Sequence, residues 1–142
     1  MKLTVSRNVH HSLEGVKFAY RFVQANARQH GKKLSKVRFD ITSMTCGGQG
    51  YCGRAYPWRN RVLLRFAPQL PRHVHQYPYY QDMPAFELEG GIESIIYLTA
   101  HELGHLIGFP GGKHGEKLAC NLGYKAVEAW RDRQYADPAI LI

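Results

Sequence analysis

The chain has 142 residues, 44% of them hydrophobic, which suits one core and leaves too little for two, so residues 1–142 are read as a single domain. Its formal net charge of +8 comes from 19 Lys and Arg against 11 Asp and Glu, scattered without forming a block; charge allows a nucleic-acid partner, but no nucleic-acid motif accompanies it. No run approaches the roughly 18 to 20 apolar residues of a membrane span, no signal peptide is indicated, and three cysteines are too few for a disulfide scaffold, so a soluble protein of the reducing cytoplasm is expected.

Ser12 is a plausible N-cap, and Leu13, Val16, Tyr20, Val23 and Ala27 follow at helical spacing, so an amphipathic helix is predicted to end before Gly31. Lys36 to Thr42 alternates, with Val37, Phe39 and Ile41 on one face and Arg38, Asp40 and Thr42 on the other, as in a half-buried strand. Cys46 and Cys52 bracket a glycine-rich turn; structural zinc, a disulfide and ordinary thiols are all open to them, the last being the leading reading. Tyr51 to Tyr56 and Arg61 to Phe66 read as two more strands joined by Pro57-Trp58-Arg59-Asn60, so the middle of the chain is expected to be a small, mainly antiparallel sheet. Pro68 to Pro84 lacks periodicity over about 17 residues, and a segment of that length leading into a helix is expected to line or cover a cleft. His73, His75, Tyr77, Tyr79 and Tyr80 are then candidate substrate contacts, or aromatic pins that hold the loop to the body.

Gly91 to Ala100 is apolar at Ile92, Ile95, Ile96 and Ala100, and Leu103, Leu106 and Ile107 continue the period, so this helix is central. His101-Glu102-Leu103-Gly104-His105 lies within it. Residues four apart share a helix face, so both imidazoles can reach one metal ion with Glu102 beside them. Burying two histidines and a glutamate in an apolar helix is costly unless they are paired or metal-bound. The spacing therefore reads as two Zn²⁺ ligands with a general base.

A catalytic zinc needs a third protein ligand and an open position. Pro110, Gly111 and Gly112 end the first helix, and a second begins near His114. Its small residues Ala119, Cys120, Gly123 and Ala126 form a stripe that lets it pack closely on the first. Glu116 lies on the side of that stripe and is favoured as the third ligand; His114 is the rival.

Over about 45 residues, from the Gly91 helix to Arg131, the chain resembles the gluzincin group of zinc peptidases, through His101, Glu102 and His105 followed by Glu116 with Ala119. There is a weaker similarity to SprT-like proteases at His114-Gly115. The resemblance implies a minimal zincin-like α+β domain: an N-terminal helix, a small sheet, the active-site helix and a C-terminal ligand helix. It also implies a zinc-dependent peptidase in which Glu102 is the general base and a peptide substrate pairs with a sheet edge, either Arg61 to Phe66 or Tyr51 to Tyr56. Two alternatives stay open: a non-catalytic, zinc-stabilised binding module, and an SprT-like protease acting on nucleic-acid-associated proteins.

Overall fold

The computed structural model describes residues 1–6, 9, 11–29, 34, 36–43, 49–76, 84–108 and 112–135; Cys46, Tyr77, Tyr79 and Tyr80 lie outside them. In chain order the elements are β1 (Lys2–Val5), α1 (Glu14–Gln29), β2 (Arg38–Ser43), β3 (Tyr51–Tyr56), a single 3-10 turn (Pro57–Arg59), β4 (Arg61–Phe66), β5 (His73–His75), β6 (Phe86–Leu88), α2 (Ile92–Leu106) and α3 (Lys113–Tyr135). This is a mixed α+β chain.

The Ser12 hydroxyl accepts the Glu14 N–H at 3.2 Å, capping α1. Val16, Ala19, Tyr20, Val23 and Ala27 form the buried face of that helix. Strand β2 buries Phe39 and Ile41 as its alternation predicts, and it also buries Asp40, which Arg38 and Arg61 hold in ion pairs. A carboxylate enclosed by two guanidinium groups loses solvent without losing its hydrogen bonds.

The sheet differs from expectation. Its order is β1-β2-β4-β3, with β1 parallel to β2, β2 parallel to β4, and only β3 antiparallel to β4. It is not mainly antiparallel, because β1 precedes α1: strand, helix and strand form a crossover unit whose strands must run the same way. The β3–β4 hairpin then inserts its second strand beside β2, leaving β3 at the edge. A separate two-stranded ribbon pairs β5 with β6, so part of the segment predicted as a loop is strand.

Helix α2 lies at the centre, packed against α1, α3 and β3. Every residue from Glu93 to Ala100 is buried. The small stripe of α3 meets it as expected: Ala119, Cys120, Ala126 and Val127 are almost fully buried, and a Cβ at Gly123 would come within 2.6 Å of the Tyr97 ring and 3.0 Å of the Tyr97 carbonyl oxygen. Such contact leaves room for hydrogen alone, and it fixes the separation of the two helices. Arg131 of α3 reaches back to the buried Glu93 carboxylate at 2.6 Å and to the Glu87 carbonyl at 2.6 Å, tying α3 to α2 and β6. Among the described residues no helix is long and apolar enough to cross a membrane.

Candidate metal centre

Because His101 and His105 sit one turn apart on α2, their rings stand side by side with centroids 5.2 Å apart. The first turn of α3 brings Glu116 against both. One carboxylate oxygen lies 3.0 Å from His101 Nε2 and the other 2.9 Å from His105 Nε2. The three side chains offer donor atoms that all lie within 4.8 Å of one another, a group that could hold a metal ion. His114, the rival on the same turn, is exposed and is not a member of that group.

Glu102 points to the same place from the sheet side. It is 7% exposed, with one carboxylate oxygen 3.9 Å from His101 Nε2. Burial pushes its carboxyl up from the usual range, opposed by the two imidazoles and by a hydrogen bond from the Ala55 backbone N–H, and reinforced by the charge of Glu116. That backbone bond exists because β3 is an edge. The Ala67 N–H donates to the Gly50 carbonyl at 2.7 Å, so in this ladder the main-chain groups of residues 50, 52, 54 and 56 face β4, while those of 51, 53 and 55 face outward. Gly53 permits the close approach: a Cβ there would lie 3.0 Å from Glu102 Cγ and 3.2 Å from Leu98 Cδ1.

The far side of His101 is held as well. Its Nδ1 is 3.6 Å from Cys120 Sγ and 3.5 Å from the Tyr97 hydroxyl, and Tyr97 donates to the same sulfur at 3.2 Å. His75 extends this network, with Nε2 3.0 Å from the Tyr97 oxygen and Nδ1 2.7 Å from the Tyr124 hydroxyl. With Tyr97 donating to Cys120, its oxygen accepts from His75 Nε2–H, and His75 Nδ1 accepts from Tyr124, so His75 is satisfied as a neutral ring. Burial, with the charges of His101 and His73, lowers its pKa to about 4. Burial also disfavours a charged His101, but hydrogen bonds to Cys120 and Glu116 and the charge of Glu102 outweigh it and raise that group to about 10. A metal ion held at Nε2 would compete with that proton.

Glu116 is held below the usual carboxylate range, chiefly by its hydrogen bond to His101.

A cleft of about 680 Å³ opens over these groups, walled on one side by Gly53, Arg54, Ala55, Pro57 and Trp58 and floored by His101, Glu102, His105 and Glu116. A smaller cavity of about 240 Å³ adjoins it behind Gly53, and His75, Tyr97 and Cys120 line that one. The described part of the Pro68–Pro84 segment therefore reaches the inner cavity through His75 rather than the main cleft, and His73 bonds the Tyr51 hydroxyl at 3.0 Å. The sequence puts Cys120 on the small packing stripe of α3, with no link to His101. Its i+4 spacing from Glu116 on the small stripe was the available signal. Cys52 and Cys120 are free thiols. No family model, curated protein or solved structure matches the chain.

Proposed function

We propose that the protein is a zinc-dependent metallopeptidase of minimal zincin-like, gluzincin-type architecture, with His101, His105 and Glu116 as the metal ligands and Glu102 as the general base. The observation that carries this reading is the convergence of the three donors beside a fourth, buried carboxylate that is not among them. The two imidazoles meet the two oxygens of one carboxylate at 3.0 and 2.9 Å, close to the separation of about 3.3 Å between donors of a tetrahedral zinc site, so little movement would bring all three onto one ion. Two imidazoles and one carboxylate are a donor set suited to zinc with one position left open. The contact between Cys120 and His101 Nδ1 supports the same assignment, since a ligating imidazole normally gives its other N–H to an acceptor.

Bound zinc would supply Lewis acidity, polarising a substrate carbonyl and making a water acidic enough to deprotonate near neutral pH. The chain supplies the rest. Glu102, with a carboxyl raised by burial, takes the proton of the attacking water and delivers it to the leaving amine. The outward-facing backbone of Gly53 and the Ala55 carbonyl offer main-chain hydrogen bonds to an extended peptide laid along β3. The cleft of about 680 Å³ runs against β3, which is the strand of the hairpin at the sheet edge.

The test is Glu102→Gln in zinc-loaded protein. Removing a general base costs about 10²- to 10⁴-fold in rate, while the three ligands remain, so the variant should keep its zinc and lose cleavage of an unfolded protein substrate. Cleavage at the wild-type rate would remove Glu102 from the mechanism; zinc-loaded wild type that cleaves nothing would favour a zinc-stabilised binding module.

A further inference from the structure

The wall of the cleft across from the three donor side chains includes Arg54 and Trp58. Trp58 is 74% exposed, on a turn started by Pro57 and closed by Asn60, whose N–H returns to the Pro57 carbonyl and whose φ is +50°. Its ring is held edge-on by Tyr56, with centroids 5.6 Å apart. The Tyr56 ring is in turn flanked by Arg54 and Arg61, each guanidinium carbon about 5.4 to 5.5 Å from the ring centre. These two arginines differ in one respect. Arg61, like Arg38, is paired with Asp40; Arg54 is exposed and has no carboxylate partner among the described residues.

Arg54 and Trp58 both line the cleft. Exposed tryptophan and unpaired arginine are the residue types that carry binding energy when a partner covers them. Among the described residues that line the cleft, Arg54 is the one lysine or arginine. Its place along β3 is specific: it lies between Gly53 and Ala55, the two residues that contact Glu102. With about 3.3 Å of rise per residue, a peptide paired with this edge would bring to Arg54 a side chain close to the bond that is cut.

We infer that the cleft selects acidic peptides, with Arg54 recognising an Asp or Glu carboxylate within about two residues of the cleaved bond and Trp58 covering the peptide beside it. This rests on the peptidase reading of the same site. The net charge of +8 acts in the same direction, drawing acidic chains towards the protein.

The experiment has two arms, both on the full chain. In the first, a peptide mixture generated from a whole proteome is digested with zinc-loaded wild type, Arg54→Gln and Arg54→Glu, and the cleaved bonds are read by mass spectrometry. The inference predicts Asp and Glu enriched about tenfold within two positions of the cut by wild type, the enrichment lost in Arg54→Gln, and Lys and Arg favoured by Arg54→Glu. Cleavage without acidic enrichment, or enrichment unchanged in Arg54→Gln, overturns the inference and leaves the peptidase standing. The second arm needs no turnover. Zinc-loaded Glu102→Gln, alone and combined with Arg54→Gln, is titrated with two matched decapeptides, one carrying three Glu and the other three Lys at the same positions, and tryptophan fluorescence is followed. Trp130 is buried, so the change reports Trp58. Tighter binding of the Glu peptide that depends on Arg54 supports the inference even if no bond is ever cut, in which case only the peptidase reading falls; equal binding of the two peptides overturns it.

Discussion

Cys120 Sγ lies 3.6 Å from His101 Nδ1, on the opposite side of the ring from Glu116, which meets Nε2 at 3.0 Å. The imidazole is therefore gripped at both nitrogens by the same helix, through residues four apart on α3. One turn of α3 sets both the third donor and the orientation of the first. The helix takes this position because Gly123, one turn further along, lets it rest against Tyr97.

Cys120→Ala removes the acceptor at Nδ1 without touching a proposed ligand. Groups that orient a ligating histidine are typically worth 10- to 100-fold in metal affinity, so zinc should bind the variant about that much more weakly, as measured by competition with a fluorescent chelator. Unchanged affinity would mean that Cys120 only fills space.

Acid should act through His75. Its pKa falls from the ordinary 6.5 to about 4 in the folded chain. Below pH 6.5 the unfolded chain therefore takes up a proton that the folded chain refuses, and stability drops until about pH 4, by up to roughly 1.4 kcal/mol per pH unit. Above pH 6.5 this contribution is constant. His75→Gln, neutral throughout, should lose less stability than wild type over that window in denaturant titrations at a series of pH values; parallel curves would contradict the assignment.

Arg131→Ala leaves the Glu93 carboxylate buried without its partner. Arg131 is one-third exposed and the Glu89 N–H still donates to Glu93, so water can replace part of the lost pair. The cost therefore falls below the roughly 3 to 5 kcal/mol of a fully buried pair, to about 1 to 3 kcal/mol, a fall in Tm of several degrees by calorimetry. A double change, Glu93→Gln with Arg131→Ala, should recover part of that loss, because no charge is then stranded. If the double variant melts no higher than Arg131→Ala, the pair contributes through packing instead.

Much of the candidate site is legible in the sequence because it is local. Helix periodicity alone places His101, Glu102 and His105, and Glu116 is distinguished from His114 by sharing a side with Ala119 and Cys120, the side that the structure buries against α2. The elements that escaped are short or paired at a distance. β1 has four residues and β5 and β6 three each, too few for a period of two to register. The parallel order of β2 and β4 depends on β1 and on where the β3–β4 hairpin inserts, neither of which leaves a trace in local pattern. Asp40 read as a solvent-facing residue because its burial depends on Arg61, twenty-one positions away. The His75–Tyr97–Cys120 network joins three separate elements for the same reason.

On the proposed reading, α2 and α3 together hold one zinc ion. Elemental analysis of wild type, Glu116→Ala and His114→Ala, purified side by side and then offered zinc, tests it most directly. About one zinc per chain in wild type and in His114→Ala, with little retained by Glu116→Ala, is the result expected from the geometry of the three donors. Wild type that holds no zinc even when it is supplied, or zinc lost from His114→Ala and kept by Glu116→Ala, would contradict it.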